Sequence, residues 1–204
     1  MKIRILGTGH VGTALASGLA RAGHPVKFGS RDPSTARVEK TASVSCGTPA
    51  EAVAFGEAVI LAVPFKAWRE TVQAIGATAF AGKIVIDTTN VFPPPLGWGS
   101  ETSGAEEIAK ALPGARVVKA FNHVFAGNMT TGRIGATKLL ALVAADDASA
   151  RNATIRLAAD IGFDPVDAGP LKSARYMEAM ALQLIDLGYG RGMGTDIGWT
   201  LAKK

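Results

Sequence analysis

Lys2-Ile3-Arg4-Ile5-Leu6, Gly7-Thr8-Gly9-His10-Val11-Gly12, Thr13-Ala14: these thirteen residues organise the chain. The first five read as a short, mainly apolar run of the kind that forms a buried parallel strand. Gly7, Gly9 and Gly12 then fall on the G-x-G-x-x-G spacing, and from Val11 the apolar period becomes helical through Leu15, Leu19 and Ala22. Strand, glycine turn and helix in that order give the motif its meaning. Gly7 serves the tight turn, Gly9 lets backbone approach a pyrophosphate, and Gly12 lets helix and strand pack closely. Phosphates would sit on free N–H groups at the helix N-terminus, where the helix dipole favours negative charge. The expectation is a dinucleotide site built from Gly7, Thr8, Gly9, His10, Val11 and Gly12.

The bulk properties agree with such a role. The chain has 204 residues, 48% apolar and 19% charged, enough for one domain with a full core and at most a small appendage. A formal charge of +5 without a Lys/Arg block points to small anionic ligands and away from nucleic acid. Cys46 is the only cysteine, which leaves no internal disulfide, and no stretch is long and apolar enough to span a bilayer. No His/Cys/carboxylate set has metal-ligand spacing. The expectation is a cytoplasmic protein with a small-molecule partner and no metal, nucleic acid or membrane.

Strands and helices alternate downstream. Strands are expected at Pro25–Ser30, Ser43–Cys46, Ala58–Val63, Lys83–Asp87, Arg116–Phe121, Leu139–Ala144 and Asp164–Asp167. Helices are expected after Asp32-Pro33, from Thr48, over Lys66–Thr78, Ser103–Leu112 and Ala148–Ile161, and from Pro170 to about Leu187. Pro93 to Gly99 reads as a loop. This pattern specifies an α/β fold, a doubly wound and mostly parallel sheet covered on both faces. Residues 1–168 form the expected dinucleotide domain and 169–204 a short helical C-terminal extension, not a second domain. Met177, Met180/Ala181 and Leu184/Ile185 form an apolar stripe on that last helix, part of which is expected to pack on a second subunit.

The end of the second strand selects the cofactor. About 18–20 residues beyond the glycine turn lie Ser30, Arg31 and Asp32. Ser30 can donate to a 2′-phosphate and Arg31 can clamp it, whereas Asp32 before Pro33 suits a helix N-cap better than an NAD-type carboxylate. NADP is therefore expected over NAD.

Three further segments close strands where ligands of such sheets lie: Ala62-Val63-Pro64, Asp87-Thr88-Thr89-Asn90, and Lys119-Ala120-Phe121-Asn122-His123-Val124-Phe125-Ala126. His123 is the candidate proton donor, and the competing reading is a histidine that only packs and hydrogen-bonds. His10 contributes its backbone N–H, His24 reads as a surface residue, and Cys46 as a structural thiol. Hydride transfer between two bound redox cofactors needs stacking and alignment more than acid–base groups, so the sparse acid–base set favours that reaction. The alternatives are reduction of a small imine or ketone with His123 as donor, and a non-catalytic NADP-binding module.

Taken together, these segments resemble the NADPH-dependent reductases of the deazaflavin coenzyme F-420, the F420H2:NADP oxidoreductase family. The pieces are Gly7 to Gly12, Gly29-Ser30-Arg31-Asp32, Ala62-Val63-Pro64, Asp87 to Asn90, Lys119-Ala120-Phe121-Asn122, and Asp167-Ala168-Gly169-Pro170-Leu171 with Ala174-Arg175. The resemblance implies a Rossmann domain, usually dimeric, with NADP phosphate on Ser30 and Arg31. It implies pyrophosphate on the turn Thr8 to Val11 and a deazaflavin stacked over the loop from Asn122 to Ala126. Catalytic roles would fall to Asn122 and His123, and cofactor contacts to Ala62, Val63, Pro64, Asn90 and Ala126. One departure matters. The family's deazaflavin reductases tend to carry His-Thr-Ile-Pro-Ala in this loop, whereas this chain has Asn122-His123-Val124-Phe125-Ala126, so a flavin or other planar acceptor enters beside coenzyme F-420.

Overall fold

The computed structural model describes residues 1–30, 32–33, 41–91 and 101–202. The expected helix after Pro33, the loop Pro93 to Gly99, and Arg31 itself lie outside those residues.

Six parallel strands carry the first part of the chain: β1 (Ile3–Leu6), β2 (Val26–Gly29), β3 (Val44–Gly47), β4 (Ala58–Leu61), β5 (Ile84–Asp87) and β6 (Arg116–Ala120). A short hairpin of β7 (Arg133–Ile134) and β8 (Thr137–Lys138) follows, then β9 (Leu140–Ala145) and β10 (Asp164–Asp167). The main sheet has the order β10-β9-β6-β5-β4-β1-β2-β3. β9 runs antiparallel to β6, with Ala120 opposite Val143, and β10 is parallel to β9. The sheet is thus mostly parallel, as expected. The antiparallel step follows from the connection, because the chain returns through α5 (Ala126–Met129) and the β7–β8 hairpin without a full crossover helix.

Alternation of side chains across the pleat divides the core in two. Ile3, Ile5, Ala58, Ile60, Ile84, Ile86, Val118 and Ala120 face α1 (His10–Arg21) and α6 (Ala148–Ile161), with Leu15, Leu19, Leu157 and Ile161 opposite. Leu6, Val59, Leu61, Val85 and Val117 face α2 (Pro49–Phe55), α3 (Trp68–Ile75) and α4 (Gly104–Ala111), meeting Val53, Trp68, Val72 and Ile108. Both faces are buried, so the strands read as near-continuous apolar runs. Arg4 is the exception within β1. It is fully buried, donates to the Gly56 carbonyl, and burial lowers its guanidinium to about 10.

Several boundaries are sharper than the sequence suggests. β6 stops at Ala120 because Phe121 takes φ 64°. Gly76, at φ 91°, divides the expected long helix into α3 and a 3-10 turn over Ala77–Phe80. The last helix, α7, is regular only over Ala174–Ile185; a 3-10 turn precedes it and a π turn over Asp186–Gly190 follows. Met177, Ala181 and Leu184 of its apolar stripe are buried within the chain itself. That part of the stripe is core; Met180 and Ile185 remain half-buried.

Candidate functional site

The glycine turn shows why two of its three glycines carry no side chain. A Cβ on Gly7, whose φ is 116°, would lie 2.2 Å from the Ala62 carbonyl oxygen, and one on Gly12 would lie 2.2 Å from the Gly7 carbonyl. A Cβ on Gly9 would meet nothing within 4 Å. Gly7 and Gly12 are therefore required by the protein, whereas Gly9 faces open space. The first helical bond of α1 runs from the Thr13 N–H to the Gly9 carbonyl at 3.0 Å, and no side chain caps this end. The N–H groups of His10, Val11 and Gly12 lie ahead of the helical ladder. Uncapped main-chain donors with open space beside Gly9 make an arrangement that suits an anion. A dinucleotide pyrophosphate fits this cradle.

Two clefts meet at the turn. One, of about 640 Å³, runs from Gly7 and Thr8 to Gly29, Ser30 and Asp32 and is walled by Val63 and Pro64. Ser30 lines this cleft with its hydroxyl donating to the Asp32 carbonyl at 2.9 Å. The other, of about 480 Å³, lies between the start of α1 (His10, Thr13), the start of α5 (Phe125, Ala126) and Tyr189 of the π turn. Phe125 and Tyr189 pack edge to face at 5.5 Å between ring centroids, and Tyr189 is 69% exposed. The Phe125 ring sits against Gly188, where a Cβ would come within 2.6 Å of it. The expected residues thus divide: Gly7, Thr8, Ser30, Val63 and Pro64 line the first cleft, and His10 and Ala126 the second. Ala62 contributes its carbonyl to the Gly7 packing.

Asn122 and His123 occupy a different position from that expected of catalytic groups. Asn122 is 5% exposed, and its Nδ2 donates both to Asn90 Oδ1 at 2.9 Å and to the Met177 carbonyl at 3.0 Å. Asn90 returns a bond from its own Nδ2 to the Asn122 carbonyl at 2.8 Å. His123 is 1% exposed. The Leu142 N–H donates to its Nε2 at 3.3 Å, and its Nδ1 lies 3.2 Å from Asn122 Oδ1, an arrangement that suits a ring proton on Nδ1. Burial pushes the imidazole down to about 4 against a backbone hydrogen bond at Leu140 that favours the protonated ring, and the Lys119 ammonium adds to the lowering. His123 is neutral near pH 7, enclosed, and hydrogen-bonded at both ring nitrogens within the protein. The sequence reading of a packed, hydrogen-bonded histidine is the one that matches this geometry.

Beneath this pair lies a cluster that sequence reasoning passed over. Asp87, the last residue of β5, and Lys119, the last but one of β6, are direct register partners. Both are fully buried, with Lys119 Nζ 2.8 Å from Asp87 Oδ2. The same ammonium donates to the Thr89 carbonyl at 2.6 Å and stands 3.0 Å from Glu178 Oε1 of α7. Glu178 Oε2 accepts the Gly104 N–H at the start of α4 at 3.2 Å. Burial works against the lysine charge, but the two carboxylates outweigh it and hold Lys119 above the usual lysine range. Opposite charges at matching positions on two adjacent apolar strands were the available signal. Arg175 also holds α7 to α4, through a two-point pair with Glu106 at 2.7 and 2.9 Å.

Among the described residues no group of three His, Cys, Asp or Glu side chains could hold a metal ion, and no helix is long and apolar enough to cross a membrane.

Comparison with known proteins places these features in context. The family model described as NADP oxidoreductase coenzyme F420-dependent matches residues 2–91. The F420-dependent NADP reductase of Methanothermobacter marburgensis is 35% identical over 210 residues, 92% of each chain. Metalloreductase STEAP3 of Rattus norvegicus is 32% identical over 186 residues, which are 90% of this chain and 37% of that protein; the present chain therefore spans little more than a third of the metalloreductase. A crystal structure from Arthrobacter sp. FB24, assigned as an F420 dependent NADP-reductase, superposes with a TM-score of 0.86 at 30% identity and covers all of both chains.

Proposed function

This chain belongs to the family of F420-dependent NADP reductases, and from that membership we propose that it transfers hydride between NADP(H) and a second planar redox compound, a deazaflavin or a flavin. One observation carries the reading: the amide cradle at the start of α1, kept open at Gly9 while Gly7 and Gly12 are packed shut against backbone. NADP(H), when bound, supplies the nicotinamide that gives or takes the hydride. The protein binds, orients and excludes water.

In this reading His10, Val11 and Gly12 hold the pyrophosphate, Val63 and Pro64 flank the cofactor, and Ser30 with Arg31 select the 2′-phosphate. Asn90, half-buried and with one amide proton beyond its bond to Asn122, faces the nicotinamide end. Phe125, Ala126 and Tyr189 receive the second compound. Asn122 and His123 act as positioning residues: His123 fixes the Asn122 carboxamide, and Asn122 fixes Asn90. The neutral, enclosed His123 supports hydride exchange between cofactors over reduction of an imine or ketone, which would need a proton donor there. The segment 169–204 is read as an extension that closes the site. The protein is assigned to the cytoplasm as a homodimer, whose contact we place at exposed Tyr176, Met193 and Leu201; sedimentation as a monomer at micromolar concentration would remove that assignment.

Stopped-flow mixing of NADPH-loaded protein with coenzyme F-420, FMN and quinones tests the reaction. The expected result is single-turnover loss of NADPH absorbance with at least one tricyclic acceptor. No oxidation by any of them would refute it.

A further inference from the structure

The cluster of Lys119, Asp87 and Glu178 contains one ammonium and two carboxylates, which leaves one formal negative charge among them. All three side chains are at least 95% buried. Stability alone is a poor reason to keep such a group, since a well-packed apolar set of similar volume is often equal or better. Its place in the fold is more informative. It lies at the carboxyl ends of β5 and β6, where ligands of doubly wound sheets bind. It is also tied to Asn90 and Asn122 through two short paths. Lys119 holds the Thr89 carbonyl and Asp87 holds the Thr89 N–H at 2.9 Å, so the turn leading to Asn90 is fixed from below. Met177, the neighbour of Glu178, accepts from Asn122. Neither the histidine beside Asn122 nor the arginine of α7 cancels the cluster's charge. His123 is neutral, and Arg175 is paired with Glu106. The N-terminus of α4 contributes one N–H to Glu178.

We propose that this buried, net-negative cluster biases the nicotinamide end of the site toward the oxidised cofactor, by favouring the positive charge that the ring carries in NADP+ and not in NADPH, while holding Asn90 in place. This rests on the hydride-transfer reading above and adds its direction: bound NADPH becomes the better hydride donor.

Equilibrium binding tests it without turnover. Dissociation constants for NADP+, NADPH and 2′,5′-ADP are measured on wild type, Glu178→Gln and Glu178→Asp. In Glu178→Gln the ratio of the NADP+ to the NADPH constant should rise on the order of tenfold, as one charge in a protein interior would produce. The 2′,5′-ADP constant should stay within about twofold, because that ligand contains no nicotinamide. Glu178→Asp keeps the charge and should restore the ratio. Asp87→Asn removes the same charge from the strand side and replaces Glu178→Gln should the latter not fold. An unchanged ratio, or equal weakening of all three ligands, overturns the proposal and leaves the hydride-transfer reading standing. Failure of wild type to bind any of the three overturns both.

Discussion

His123 offers a prediction whose size follows from its surroundings. The ring is 1% exposed and titrates near 4 in the folded protein against an ordinary value of 6.5. An unfolded chain therefore binds a proton at this residue over a range where the native chain refuses it. Stability owed to the neutral ring is complete above pH 6.5 and is lost as the pH falls toward 4. Each tenfold difference in proton affinity between the two states is worth about 1.4 kcal/mol, so the full loss is about 3 kcal/mol, of which about 2 kcal/mol falls between pH 7 and pH 5. His123→Gln keeps an acceptor for the Leu142 N–H and a donor for Asn122 but cannot titrate. Urea unfolding of both proteins at pH 7, 6 and 5 isolates the contribution as a difference, because carboxylates, His10 and His24 are common to the two. Wild type should lose about 2 kcal/mol more than the variant across that range. Parallel curves would mean that the native ring accepts a proton, and would reopen its use as an acid.

Three further outcomes are expected. Gly9→Ala should leave thermal stability unchanged or raise it slightly, since its φ of −80° suits alanine and its Cβ meets nothing, while NADPH affinity falls at least about tenfold as the cradle fills; fluorescence titration beside a melting curve reads both. Lys119→Met should cost about 3–5 kcal/mol in urea unfolding, because it leaves two buried carboxylates without their cation. Arg31→Ala should reduce the preference for NADP over NAD by roughly 10–150-fold, the value of one charge-assisted bond, measured by titrating both cofactors; equal affinities in wild type would end the NADP assignment.

The sequence revealed what repeats along the chain and hid what converges across it. Gly7, Gly9 and Gly12 are legible because strand, turn and helix are neighbours, so spacing alone states their geometry. The strands are legible because both faces of the sheet are apolar. Phe121 is different. Its φ of 64° carries a cost that nothing local signals, and it redirects the chain so that Asn122 turns to α7 and His123 to β9. A histidine beside an asparagine in a loop at a strand end looks catalytic until Leu142 and Asn90, brought from β9 and the β5 turn, occupy its neighbourhood. The same convergence explains why Lys119 looked like one residue of a motif and not the hub of four elements. Its partners stand 32 and 59 positions away along the chain in Asp87 and Glu178. Long-range pairs of this kind leave no period. What they leave is a charge where the local pattern demands an apolar residue, and Asp87, Lys119 and Glu178 each break their pattern in that way. A charge retained at desolvation cost, at the end of the sheet where ligands bind, is better explained by the ligand than by the fold. On that argument the C-terminal helix belongs to the redox site through Glu178 as much as to the core through Met177 and Leu184.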